Sequence, residues 1–402
     1  MTDFELPEPS PDPLLDLIGR YRADNRPNKI DLGVGVYRND IGSTPVLDTV
    51  KAAEAILLER QESKSYLGLT GDAEFVNLLA DLIFLETDSS QPGSAEPASN
   101  KFISGAQTPG GSGALRVASE MFCALRPSAT LWVGVPTWPN HLPLTQAAGL
   151  NTQCFDAFCK DSQTLLFDSM IESLSAAERG DAVLIHGCCH NPTGADLSSE
   201  QVHTLCQLMN DKGLMPIVDL AYHGLGDGLQ QDLQATRDIV RLCPHTLVAA
   251  SCSKNFGLYR DRVGAVYIAT GDKKRADNTQ AYFGHIARRL YSMPPDHGAA
   301  AVRLILSDDT LKNLWLDELG TMVSRINTLR SAIATQQPGL GFVSQQRGMF
   351  SLLPLKSTQV DALINEHAVY LAGDGRINIA GCQLHQVEQF CTALSDVGFT
   401  GL

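Results

Sequence analysis

TLVAASCSKNFGLYRDRVGAVYIA, residues 246–269, begins and ends on apolar runs and carries a polar, glycine-containing segment between them. The flanking runs, TLVAASC (246–252) and RVGAVYIA (262–269), are short and rich in Val, Leu, Ile and Ala, as strands are. The segment between them leaves Lys254 just beyond a strand end. The same kind of run recurs upstream as KFISGAQ (101–107), TLWVGVP (130–136), DAVLIHG (181–187) and LMPIVDLA (214–221). Between many of them lie amphipathic helical stretches, such as GALRVASEMFCALR (113–126) and SSEQVHTLCQLMNDKG (198–213). Apolar strands alternating with helices predict an α/β fold, its central sheet mostly parallel and flanked by helices.

Outward from this region the pattern changes. TDSSQPGSAEPASN (87–100) is polar and rich in Pro, Gly and Ser, and reads as a surface loop. After about residue 296 a long helix or two is expected. Then come a strand pair (GFVSQQ, GMFSLLPL), a helix (STQVDALINEH), a second strand-like pair (VYLAG, GRINIAG) and a terminal helix. The last hundred residues thus read as a smaller α+β domain. No internal repeat is present.

Composition narrows the function classes. The 402 residues are 44% hydrophobic and 19% charged, a globular mixture. With 31 basic and 45 acidic side chains the net charge is −14, and no Lys/Arg run offsets it, which disfavours nucleic acid and anionic membranes. No apolar stretch is long enough to span a bilayer. The N-terminal MTDFELPEPSPDP is acidic and Pro-rich, the reverse of an export signal, so a cytoplasmic location is expected. Ten cysteines without a CxxC pair read as buried free thiols. A zinc site on Cys188, Cys189 and His190 is disfavoured because adjacent ligands rarely reach one metal together, and no metal is expected.

Ligands of open α/β sheets bind outside the carboxyl ends of the strands. After 101–107 comes TPGGSGALR, whose glycines and helix start suit an anion, with Ser112 adding a hydroxyl. It matches neither GxxxxGK[ST] nor GxGxxG. The next strand ends bring Trp138 in PTWPNH, Asn191 in HNPTG, Asp219 and Tyr222 in VDLAY, and Ser251 with Lys254. Taken singly, Asp219 also reads as a helix cap, Lys254 as a solvated lysine and Trp138 as core packing. Taken jointly, a lysine suited to an imine, a carboxylate for a protonated pyridine nitrogen and a phosphate cradle describe pyridoxal phosphate.

With these residues in view, the chain resembles a class I aminotransferase of pyridoxal-phosphate fold type I, in the aspartate and aromatic amino acid aminotransferase family. The likeness runs from DLGVGVYRND (31–40) to GRINIAG (375–381). Between them, in family order, stand SYLGLTG (65–71), GGSGALR (110–116), PTWPNH (136–141), HGCCHNPTG (186–194), DLAYHG (219–224), SKNFGLYRDRVG (253–264) and RRLYSMPP (288–295). The resemblance implies a large cofactor-binding domain over 47–315. It implies a smaller domain from both termini, with 1–46 as N-terminal arm and part of that domain and 316–402 as its C-terminal part.

Residue by residue, the resemblance implies that Lys254 bonds the cofactor and shuttles the substrate proton. Asp219 pairs with the pyridinium nitrogen, and Tyr222 and Asn191 bond the phenolic oxygen. Trp138 stacks on the ring. Gly111, Ser112, Ser251 and Arg262 hold the phosphate, joined by Tyr66 of a neighbouring subunit. For substrate, Arg376 binds the α-carboxylate as a fork, Gly35, Trp138 and Asn191 line the site, and Arg288 of the neighbour faces a distal carboxylate. His141 and His186 support Asp219. The implied assembly is a homodimer with shared active sites.

The implied reaction moves an amino group from aspartate, an aromatic amino acid, or both, to 2-oxoglutarate in a ping-pong cycle. The alternatives are a strictly aspartate-specific aminotransferase and a lyase or decarboxylase of the same fold type. Arg288 with Arg376 favours transamination, because two dicarboxylates must alternate in one site. A ligand sensor within a transcription regulator would need a DNA-binding domain ahead of the fold, and only about 30 residues precede DLGVGVYR. A dinucleotide oxidoreductase lacks its fingerprint. Three positions depart from the family's usual residues: His223 and Leu225 stand where Gln and Phe are commoner, and Met293 where many aspartate-specific members have Asn. Arg289 beside Arg288 is a pairing associated with aromatic-active members.

Overall fold

Seven strands form the central sheet: β1 (Phe102–Pro109), β2 (Thr130–Val135), β3 (Asn151–Asp156), β4 (Ala182–His186), β5 (Met215–Leu220), β6 (His245–Ser251) and β7 (Val263–Thr270). The computed structural model, which describes residues 13–87, 95–97 and 99–401, orders them β1-β7-β6-β5-β4-β2-β3. The pairs from β6 through β3 are parallel, and β7 runs antiparallel to both β6 and β1. Only β7 is therefore reversed, and the sheet is mostly parallel as expected. The strand β3 has no counterpart among the apolar runs, because this sheet-edge strand is mostly exposed and polar.

Parallel pairing brings the carboxyl ends of the strands to one edge. His186 pairs with Asp219, Ser251 with Gly264, and Val263 with Pro109. The helix Gly110–Leu125 starts directly after β1, and its apolar face packs between sheet and neighbouring helices. The helix Ser199–Lys212 has a capping box of Ser198 with Gln201 and ends on Gly213 in the left-handed conformation.

Both ends of the described chain build the smaller α+β unit. Ile30–Asp31 pairs in parallel with Val369–Tyr370, and Phe350–Leu352 pairs antiparallel with Arg376–Asn378. Two expectations are corrected here. GFVSQQ is not a strand; Gly341–Ser344 belong to the 3-10 helix Pro338–Ser344, which starts on a proline and packs against the preceding helix. VYLAG and GRINIAG meet only at their turn, where the Ala372 N–H donates to the Arg376 carbonyl at 3.2 Å; Val369–Tyr370 and Arg376–Asn378 each form a ladder with a more distant segment. The expected helices appear as His297–Ser307, Asp309–Gln336, Ser357–Asn365 and Val387–Asp396. In the 87–100 region, Leu85–Thr87 pairs antiparallel with Ala95–Pro97, so the stretch is a hairpin at its base; residues 88–94 and 98 lie outside the described residues.

Two buried contacts tie the long helix Asp309–Gln336 to the rest. Trp315 stacks on Phe256, with ring centroids 4.3 Å apart, and its Nε1–H donates to the carbonyl of Asn255 at 2.9 Å. That fixes the backbone next to Lys254. Arg330 donates to the carbonyls of Val343, Arg347, Gly348 and Phe350 and to Ser351 Oγ. Burial lowers its pKa to about 10. All ten cysteines are free. Among the described residues no helix is long and apolar enough to cross a membrane.

Candidate active site

The carboxyl edge of the sheet holds a cavity of about 190 Å³. Gly35, Gly111, Ser112, Trp138, Asn191, Asp219, Tyr222, Ser251, Lys254 and Arg262 line it. These residues span more than 220 positions of sequence and meet because most follow or end a strand at the same edge; Arg262 directly precedes the antiparallel β7 there, and Gly35 comes from the N-terminal segment.

Lys254 follows β6 by three residues, and its Nζ stands 4.8 Å from the centroid of the Tyr222 ring. Burial lowers its pKa to about 8; Asp219 opposes that shift and Arg262 adds to it. The amine is thus a far better nucleophile at neutral pH than an ordinary lysine. Asn191 Nδ2 donates to Tyr222 Oη at 3.0 Å. Burial, reinforced by Asp219, raises the Tyr222 pKa, with Asn191 and Arg376 opposing.

Asp219, near the end of β5, is 6% exposed. Its Oδ2 lies 3.0 Å from His141 Nε2, while its buried Oδ1 has no hydrogen-bond partner. An unanswered carboxylate oxygen in a cavity calls for a donor from a ligand. Behind it, His141 Nδ1 meets Thr137 Oγ1 at 2.7 Å, and Thr137 Oγ1 meets His186 Nε2 at 3.1 Å. The ring of His190 lies on that of His186, with centroids 4.0 Å apart. Burial, then the neighbouring histidines, lowers the His186 pKa; His190 falls to about 3, also through burial and then His141. Both imidazoles are therefore neutral, and the row supports Asp219 through hydrogen bonds.

An anion cradle stands at the other end of the cavity. Gly110 has φ +69°, and a Cβ there would come within 2.6 Å of Arg262 Nη2; a Cβ on Gly111 would meet Ser251 Cβ at 2.9 Å. Only glycine admits these approaches. Arg262, itself at φ +56°, donates to Ser253 Oγ and to the carbonyl of Tyr259. Backbone N–H groups at the helix start, two hydroxyls and a guanidinium converge there, as a phosphate requires.

Arg376 lies beside the cavity rather than in its lining. It is 8% exposed, its Nη1 is 3.4 Å from Asn191 Oδ1, and its Nη2 donates to the carbonyl of Gly33 at 3.2 Å. Its Nε is buried without a partner. Phe350 packs beneath the guanidinium at 4.7 Å.

Two predicted residues are not brought to this cavity within the chain. Tyr66 is 89% exposed, and Arg288 is exposed with its Nη1 donating to Ser292 Oγ. Both sit on segments that are near each other, since Met293 Sδ accepts from the Leu67 N–H at 3.2 Å. His223 is buried, with its Nε2 2.9 Å from Asn255 Nδ2, and Leu225 is in the core. Arg289 pairs with Glu120 at 3.4 Å.

Four neighbours of the site escaped the sequence reading: Thr137, His190, Ser253 and Tyr259. Tyr259 lines the cavity and its Oη accepts from the Tyr37 N–H at 2.9 Å. No local pattern marks a contact 222 residues apart; all four lie inside quoted motifs, and of them only His190 is named there, as a disfavoured zinc ligand. Cys188 and Cys189, with Asp232, have donor atoms within 4.8 Å of one another. The Asp232 carboxylate there accepts from the N–H groups of Gly224, Gly226 and Asp227.

The aminotransferase class I and II family model matches residues 27–394. The chain is 46% identical to the tyrosine aminotransferase of Rhizobium meliloti (strain 1021), over 94% of this chain and 95% of that protein. It is 41% identical to the aspartate aminotransferase of Escherichia coli (strain K12), over 95% and 96%. Among solved structures, the aromatic amino acid aminotransferase of Burkholderia pseudomallei, covalently bound to pyridoxal phosphate, superposes with a TM-score of 0.93. The two are 33% identical over 99% of this chain and all of that one.

Proposed function

Since the chain belongs to the class I and II aminotransferase family, we propose that it uses pyridoxal phosphate to move amino groups from aspartate and aromatic amino acids to 2-oxoglutarate. The observation that carries the cofactor is the unpartnered Oδ1 of Asp219, facing a cavity with Lys254 on one side and the Gly111–Arg262 cradle on the other. The residues present fit that group. When bound, it supplies an aldehyde for amines and a ring that takes up electron density.

In this reading Lys254 holds the cofactor and carries the proton to and from the substrate Cα. Asp219 keeps a proton on the ring nitrogen, and His141, Thr137 and His186 hold Asp219 in place. Asn191 and Tyr222 bond the phenolic oxygen, and Trp138 covers the ring. Gly111, Ser112, Ser251 and Arg262 hold the phosphate. Arg376, its Nε free, receives the α-carboxylate beside Asn191 and Gly35. One site serving donor and acceptor in turn makes the cycle ping-pong.

Tyr66 and Arg288 complete the site from a second copy, so the working form is a homodimer. The exposed Tyr66, Leu67 and Leu69, with Met293 against Leu67, support this as an apolar cluster open to a second copy. Residues 47–315 form the large domain and the two ends the smaller one, and a cytoplasmic location completes the reading.

The donor question turns on Arg288. It satisfies a distal carboxylate, but an aromatic ring leaves the cation unpaired unless it swings to solvent. The unbranched Met293 suits a ring better than asparagine does. The tyrosine aminotransferase likeness at 46% favours the dual reading. Comparing kcat/KM for aspartate, phenylalanine and tyrosine tests it. Aromatic donors are expected within about 10⁴-fold of aspartate, and a larger gap rejects dual specificity. Arg288→Leu is expected to lose dicarboxylates far more than aromatics; equal loss would mean another group reads the side chain.

A further inference from the structure

The opposite edge of the sheet, at the amino ends of the parallel strands, holds a second concavity of about 710 Å³. It opens where β5 and β6 begin, at Met215 and His245, and where the antiparallel β7 ends, at Thr270. Buried Phe122, Met209, Leu214 and Ile268 give it an apolar floor. Arg126, Arg179 and Arg275 stand around it with His245, and among the described residues no Asp or Glu lines it. Lys101 adds a further cation beside it, with Nζ 3.3 Å from the carbonyl of the lining residue Pro244.

These arginines are uncommitted. Among the described residues Arg126 donates only to the adjacent Leu125 carbonyl, and Arg275 Nη1 meets His245 Nε2 at 3.2 Å. Arg179 lies across Gly213, where a Cβ would stand 2.9 Å from Nη1, and no ion pair joins it to a described residue. Some surface arginines of this acidic chain pair with carboxylates, as Arg303 with Asp72 and Glu74, or Arg347 with Asp227. A concave cationic rim over an apolar floor, in a chain of net charge −14, is a local reversal of the molecule's overall charge. Its field is felt locally: after burial, Arg275 and then Lys101 lower the proton affinity of His245, with Asp272 opposing them.

We propose that this second cavity binds an amphipathic organic anion, its phosphate or carboxylate head on Arg126, Arg179 and Arg275 and its apolar body on the Phe122–Ile268 floor. The site is separate from the catalytic one. The 16-residue helix Gly110–Leu125 spans about 24 Å between them, with the phosphate cradle at its start and the new cavity at its end.

The test is calorimetric titration of the cofactor-loaded enzyme with 1-naphthyl phosphate, 1-naphthoate and neutral 1-naphthol. The proposal expects one anion bound per chain, weakening as salt rises, with naphthol bound at least tenfold more weakly; the preferred anion identifies the head group. Arg179→Gln and Arg275→Gln should each weaken binding by about tenfold or more while kcat stays unchanged. A bulky Leu214→Trp, filling the floor, provides a variant that keeps every charge and should also abolish binding. Every titration is run with saturating succinate, a dicarboxylate for the catalytic site, so that only binding outside that site is read. Absence of binding at millimolar probe, equal binding of naphthol, or wild-type affinity in the Gln variants would each overturn the proposal.

Discussion

At Lys254 the chemistry depends on burial outweighing attraction. Asp219 favours the protonated amine, yet the cavity wall removes enough water to bring the pKa down to about 8. A lowered pKa means the neutral, nucleophilic amine predominates above about pH 8 rather than above the usual 10.4. In the cofactor-free protein, carbamylation of Lys254 by cyanate, followed by peptide mass spectrometry, should rise with pH, reach half its maximum near 8 and level off above about pH 9. Surface lysines in the same sample should keep rising beyond pH 10. A half-maximal rate for Lys254 near 10.4 would contradict the burial argument. Lys254→Ala should lose transamination by many orders of magnitude yet still fold and bind pyridoxal phosphate, because the phosphate cradle and Asp219 remain. Near-wild-type turnover in that variant would remove Lys254 from the reaction.

Among elements, the turn from β1 into the helix Gly110–Leu125 is the most exacting. Gly110 combines φ +69° with a place where a Cβ meets Arg262 Nη2. Gly110→Ala therefore strains the backbone by about 1–2 kcal/mol and displaces the guanidinium that holds the phosphate. Cofactor dissociation, followed by fluorescence, should become about tenfold faster or more, with the fold retained. The long helix Asp309–Gln336 offers a second check. Arg330→Met strands four carbonyls that Arg330 alone gathers, so urea unfolding should show a loss of about 3 kcal/mol or more. A loss below about 1 kcal/mol would mean that water replaces the guanidinium.

For the whole molecule, the decisive feature is that one chain does not assemble every predicted site residue. Tyr66 and Arg288 lie on its surface, away from its own cavity lining. If a second copy supplies them, Lys254→Ala and Arg288→Ala chains mixed in equal amounts should regain activity. Random exchange makes half the dimers mixed, each with one intact site, so recovery should reach about a quarter of wild type. No recovery after verified exchange would assign each site to a single chain.

The strand ends and their motifs were legible because they are local. Apolar runs of strand length mark β1, β2 and β4 to β7, and the residues at or just past their ends (Ser112, Asn191, Asp219, Lys254) reach one edge by the parallel topology alone. Capping residues such as Ser198 and Gly213 likewise announce their helix in the sequence. The partner of Phe350–Leu352, the polar strand β3 and the reach of Tyr259 to Tyr37 were not legible, since each depends on contacts between distant segments. Tertiary structure also decided which charges stay unanswered. Composition shows only an acidic chain, whereas the fold leaves Asp219 Oδ1 without a donor at one sheet edge and three arginines without carboxylates at the other. The physical reason is one of range: propensity and periodicity act over a few residues, while desolvation and charge pairing depend on which distant side chains the packing brings together.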